Sequence, residues 1–201
     1  MTSAQLPRPL RLVVGLGNPG RQYEHTRHNA GFWWVKSLAQ ELGVSLAFEK
    51  RFESEIGLAR IADGPLRLLC PLTYMNRSGQ AVAAVARYFG IAADEILVVH
   101  DELDLSPGTV RLKFNGGHAG HNGLRDIDEQ LASRNYWRLR IGIGHPRRSA
   151  TPEKPPADYV LEPPSAPERA AIEAAIKRSL AERERLLAGA FAAAMQVLHG
   201  S

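Results

Sequence analysis

The chain has 201 residues, 44% of them hydrophobic, and a formal net charge of +4. This fits one compact domain able to bury a core, and the absence of low-complexity tracts and of internal repeats excludes repeat and fibrous architectures. No apolar stretch reaches membrane-spanning length, the first residues lack the apolar core of a secretory signal, and Cys70 is the single cysteine, so a soluble cytoplasmic protein is expected.

In chain order, Leu10 to Leu16 reads as a buried strand ended by glycine. Asn18-Pro19-Gly20 is turn chemistry, and a helix is predicted from about Asn29, a candidate N-cap, with Phe32, Val35, Ala39 and Leu42 on one face. Phe52 to Ile61 and Leu66 to Cys70 read as strands around the turn Asp63-Gly64-Pro65. Val82, Val85 and Phe89 have helical spacing, with Gly90 as the stop. "EILVVHDELDL" is a strand entering an acidic loop, "TVRLKF" is a further strand ended by Asn115-Gly116-Gly117, Leu124, Ile127 and Leu131 mark a short helix, and "WRLRIGIG" is a strand.

Residues 146–167 are rich in proline and charge and are expected to form a flexible loop. Ser165 to Glu168 has the form of a capping box, opening a helical part that runs over 166–199 with a break near Gly189. Residues 1–9 form an N-terminal extension. Alternating strands and helices predict a single-domain three-layer α/β fold with a mostly parallel central sheet. From Arg134 to Lys154 the cations Arg138, Arg140, Arg147 and Arg148 face one acid, Glu153, which fits either a solvated loop or a surface for phosphates.

The hexapeptide "GLGNPG" after the first strand has the spacing of a dinucleotide-binding turn. Such a turn needs a helix opening inside the motif and an acidic residue after a second strand. Here Pro19 interrupts the motif, the helical pattern waits until about Asn29, and Glu41 falls within the predicted helix, so dinucleotide binding is not expected.

Polar residues instead gather after the strands, where ligands bind in open α/β sheets. They are Asn18, Tyr23 and His28; Tyr74, Met75 and Asn76; His100 and Asp101; and His118, His121 and Asn122. Alone, each has a simpler reading: Asn29, Asn76 and Asn122 stand near helix starts as caps, and Asn18 fits a turn. Their convergence would combine histidine, carboxylate and carboxamides without a serine or cysteine nucleophile. His100, Asp101, Glu102, Asp104, His118 and His121 could also supply metal ligands, but no HExxH pattern is present.

With these residues in view the sequence resembles bacterial-type peptidyl-tRNA hydrolases. "GLGNPG", "YEHTRHNAGF", "LTYMNRSG", "HDELDL", "GGHAGHNGLRDI" and "RLRIGIGHP" match that family's motifs in order. The resemblance implies a single-domain three-layer α/β/α sandwich with a twisted, mostly parallel mixed sheet, and a cofactor-free esterase, monomeric, with no obligate protein partner. Its substrate would be the ester joining a peptide to the CCA end of tRNA, with the acceptor stem also contacted, and its task the recycling of tRNA from stalled translation. By the same resemblance His28 is the base, Asp101 its carboxylate partner, and Asn18 the residue that distinguishes blocked from free aminoacyl ends. Tyr23, Tyr74, Asn76 and Asn122 become tRNA-substrate contacts, Met75 and His121 cleft-lining residues, and Lys113 and Arg140 a basic pair for the terminal phosphate. Tyr74 departs from a common phenylalanine, and Ala119 from a common glycine. A non-catalytic RNA-binding protein on the same fold is the alternative.

Overall fold

In the computed structural model, residues 8–148 and 154–200 are described. The order is β1 (Leu12–Gly15), α1 (Ala30–Glu41), β2 (Ala47–Glu49), β3 (Ser54–Ile61), β4 (Gly64–Pro71), α2 (Ser78–Phe89), β5 (Ile96–Glu102), β6 (Val110–Phe114), α3 (Asn122–Leu131), β7 (Trp137–Gly142), α4 (Pro156–Val160), α5 (Ala166–Ala181), α6 (Arg183–Leu187) and α7 (Phe191–Gly200). One sheet runs β2-β3-β4-β1-β5-β7-β6. Its four central strands are parallel, and antiparallel β2–β3 and β6 flank them, which matches the expected mixed sheet.

Strand alternation explains the layers. Val13, Leu97 and Val99 face one core with α1 and α4–α7; Leu12, Val14, Ile96 and Val98 face a second core with α2 and α3. The C-terminal helices share the first core: Trp34 of α1 donates its indole N–H to Ser179 of α5 at 2.8 Å, and Trp137 stacks on Phe191 at 3.7 Å.

Several local expectations change. Asp63-Gly64-Pro65 is not the turn: β4 begins at Gly64, whose φ is 115°, and Ile61 pairs with Gly64 across the two-residue link Ala62-Asp63. The edge strand β2 is only three exposed residues, too short to leave a period in the sequence. The segment 146–167, expected as a flexible loop, contains α4, whose Tyr159 and Val160 are buried; long-range contacts that composition does not reveal hold it there. Positions 149–153 of that segment, and 1–7 of the N-terminal extension, lie outside the described residues.

The glycines of "GLGNPG" have packing roles. A Cβ at Gly15 would overlap the Gly31 carbonyl of α1, one at Gly17 would lie 2.7 Å from the Phe32 ring, and Gly20 has φ 106°. No helix opens within the motif; 3₁₀ turns at Arg21–Tyr23 and Arg27–Asn29 precede α1. Gly31 completes this close approach, because a Cβ there would overlap the Val99 carbonyl and the Leu16 backbone. Gly31→Ala is therefore expected to destabilise the fold by roughly 1–3 kcal/mol through overpacking. Urea denaturation checks it, and a parent-like midpoint would contradict this packing account.

Candidate active site

The close seating of α1 brings the turn Arg27–Asn29 to the carboxyl end of β5. There the buried His28 points Nδ1 at both Asp101 oxygens, at 2.9 and 3.0 Å. An ionised carboxylate only accepts, so Nδ1 carries the proton and Nε2 is the unprotonated nitrogen. Asp101 Oδ1 also accepts from His121 Nε2 at 3.0 Å. His121 Nδ1 accepts from the backbone N–H groups of Gly123 and Leu124, capping α3, which fixes its proton on Nε2. The helix cap is therefore His121, and not Asn122 as its position suggested.

Burial pulls the His28 imidazole down, but the charge and hydrogen bond of Asp101 outweigh it, so its pKa lies above the ordinary 6.5. Burial disfavours the Asp101 anion, yet the two imidazoles hold its carboxyl well below the usual carboxylate range. Burial, reinforced by the neighbouring His121, pushes His100 down to about 3, leaving it neutral; its Nδ1 donates to the Asp101 carbonyl at 2.7 Å.

Asn18 is clamped from three sides. Its Oδ1 accepts from Met75 N–H at 2.8 Å, its N–H donates to Asn29 Oδ1 at 2.8 Å, and its carbonyl accepts from Asn29 Nδ2 at 3.0 Å. Asn29 therefore holds the first loop, and its side chain caps no helix, contrary to its local reading. The clamp orients the Asn18 carboxamide, and among the described residues Nδ2 has no protein acceptor.

His28, Asp101, His121 and Asn122 line one cleft of about 420 Å³ with His100, Glu102 and Asp104 and an apolar side formed by Leu103, Ala119, Pro156, Ala157 and Val160. None of its lining residues is Ser, Thr or Cys, and burial pushes the Cys70 thiol up to about 12. Met75 is buried and packs against Gly123 beside His121. Tyr23 is half-buried, while Tyr74 and Asn76 are exposed on the turn before α2, where Asn76 caps nothing; none of the three makes a hydrogen bond to His28 or Asp101 among the described residues.

Lys113 and Arg140 share a sheet face but are not directly opposed: Lys113 pairs with Arg138, and Arg140 with Arg111. Arg140 donates Nε to Glu102 at 2.9 Å, a partner that sequence spacing did not suggest. Arg138, one of the cations of the basic run, is buried and holds the Gly116 and Gly117 carbonyls, each at 2.7 Å.

His28, Asp101 and His121 place ligand atoms within 4.8 Å of one another, as a metal site would. The tautomers oppose that use, because two of those atoms carry the protons that bond Asp101.

The α/β sandwich thus holds a cleft with a buried imidazole–carboxylate pair and, among its lining residues, no hydroxyl or thiol nucleophile. A profile of the peptidyl-tRNA hydrolase family matches residues 12–201, and the chain belongs to that family. The peptidyl-tRNA hydrolase of Bordetella parapertussis is 53% identical over 198 residues, covering 98% of this chain and 92% of its own length. That of Bordetella avium is 52% identical over 194 residues, covering 96% and 93%. The crystal structure of peptidyl-tRNA hydrolase from Acinetobacter baumannii superposes with a TM-score of 0.89 at 43% identity, covering 98% of this chain and 97% of that one.

Proposed function

We propose that this chain hydrolyses the ester between a peptidyl group and tRNA by direct attack of water. The observation that carries this is the His28 Nδ1–Asp101 bond, which leaves Nε2 as the base. Nε2 takes a proton from water as the oxygen attacks the ester carbonyl. Asp101 stabilises the imidazolium that forms and holds the ring in the correct tautomer. The Asn18 Nδ2 group, whose carboxamide oxygen is held by Met75 N–H, would donate to the developing oxyanion. His121 steadies Asp101 and closes the cleft with Asn122. The tetrahedral intermediate then collapses with cleavage of the carbonyl carbon–3′ oxygen bond, and the imidazolium returns the proton to that oxygen, which leaves as the 3′ hydroxyl of the tRNA; no cofactor takes part.

A buried carboxamide fits the amide of a blocked end, whereas the ammonium of a free aminoacyl end would be left badly paired; this would spare charged tRNA. The half-buried Tyr23 and the exposed Tyr74 and Asn76 would contact the CCA end, with Met75 beside them. Lys113 and Arg140 would bind phosphate, with Glu102 orienting the guanidinium of Arg140. Among the described residues no helix is long and apolar enough to cross a membrane. We take the protein to act as a monomer in the cytoplasm.

Lys113→Ala and Arg140→Ala are each expected to raise KM and to lower the log–log salt slope of tRNA binding by about one per lost phosphate contact. Filter binding across a salt series checks this. An unchanged slope in both variants would move the phosphate site elsewhere. Release of N-acetyl-amino acid from tRNA tests the function itself, and binding without release would favour the non-catalytic reading.

A further inference from the structure

Arg27 sits one residue before the proposed base, is only 6% exposed, and does not line the cleft. Its side chain turns away from His28 to the segment that carries α4. Nη1 donates to the carbonyls of Tyr159 and Glu162, both at 3.2 Å, and Nη2 to Glu168 Oε2 at 2.9 Å. The guanidinium lies 3.9 Å above the centre of the Tyr159 ring, whose hydroxyl donates to the Ile143 carbonyl at 3.0 Å. The Arg27 backbone N–H donates to the Glu162 carbonyl as well.

This arrangement is costly for stability alone. Arg27 Nε is buried with no hydrogen-bond partner, and a buried guanidinium with one carboxylate is often no more stabilising than apolar packing. What the fork does uniquely is tie two carbonyls, one carboxylate and one ring face into a fixed geometry. Those groups hold α4, and α4 supplies Pro156, Ala157 and Val160 to the apolar side of the cleft. That side lies on the α1 face of the sheet, whereas Lys113 and Arg140 lie on the α3 face. The apolar side suits an acyl chain and the two cations a polyanionic nucleotide end, and the sheet separates them.

We infer that Arg27 is a positioning residue, which fixes α4 as the wall for the peptide part of the substrate at a set distance from the turn carrying His28. This rests on the reading that the cleft takes a peptidyl ester. Arg27 touches no reacting atom, so its loss is expected to act on binding of the longer acyl chain and not on proton transfer.

The test is steady-state kinetics of Arg27→Met, Arg27→Lys and Glu168→Gln on two substrates, N-acetyl-aminoacyl-tRNA and a tetrapeptidyl-tRNA, below the melting temperature of each variant. Arg27→Met and Arg27→Lys are expected to raise KM for the tetrapeptidyl substrate by about tenfold, with kcat on the short substrate within about threefold of the parent and the pH profile unmoved. Lysine cannot rescue, because one ammonium does not span the fork and the ring. Equal effects on the two substrates, a parent-like KM for both, or full rescue by lysine would overturn the inference. If Arg27→Met does not fold, Arg27→Lys and Glu168→Gln decide by the same length dependence, which is expected to be smaller for Glu168→Gln because it removes charge from one bond only. A parent that releases nothing from either substrate would refute the proposed function itself, which the length dependence does not.

Discussion

His28→Ala is expected to lower single-turnover hydrolysis of N-acetyl-aminoacyl-tRNA by about two to four orders of magnitude, the range for loss of a positioned base. Binding of tRNA should change little, since the ring is buried against Asp101 and Lys113 and Arg140 lie on another face. Quench-flow hydrolysis and filter binding on the same preparation separate the two effects. Near-parent hydrolysis would remove His28 from the chemistry. A parallel loss of binding would show that the alanine disturbs the cleft and not only the proton transfer.

Asp101→Asn is expected to be almost as severe, roughly two to four orders of magnitude, because the amide neither holds the productive tautomer firmly nor stabilises imidazolium. Its pH profile should also move. Hydrolysis requires neutral His28, so kcat/KM rises with pH through the pKa of that ring, which in the parent lies above 6.5. The two influences raising it, the charge and the hydrogen bond of Asp101, are weakened by the amide, and burial, which lowers it, remains. The acid limb of the variant is therefore expected at lower pH than the parent limb, with a lower plateau. A profile of kcat/KM from pH 5 to 9 checks this. An unmoved limb at parent rate would mean that Asp101 does not govern His28.

The strands and most helices were legible because their signals are local. Val13 against Leu12 and Val14, the spacing Val82–Val85–Phe89 and the Ser165–Glu168 capping box report period and cap chemistry over a few residues, and the structure follows them. The proposed catalytic group was legible only as a convergence, since His28 and Asp101 lie 73 positions apart and meet through strand order. What local reading misassigned depends on distant partners. Asn29 looks like a cap but grips Asn18, the cap of α3 is the imidazole of His121, and Arg138, in a run that fits either a solvated loop or a phosphate surface, is buried and holds two loop carbonyls. Arg27 gives no signal at all, because its partners Tyr159, Glu162 and Glu168 are more than 130 positions away. α4 hides in a proline-rich stretch for the same reason: five residues do not establish a period, and its anchor comes from the other end of the chain.

The most direct test of the central claim compares two substrates that differ in one group. The parent enzyme is mixed with N-acetyl-aminoacyl-tRNA or with the same aminoacyl-tRNA bearing a free amine, and release of the acyl group is followed in single turnover with EDTA present. His28-activated water in a cleft that reads a blocked end predicts rapid release from the acetylated substrate, little from the free one, and no effect of EDTA. No release from the acetylated tRNA, equal release from both, or a rate abolished by the chelator would contradict it.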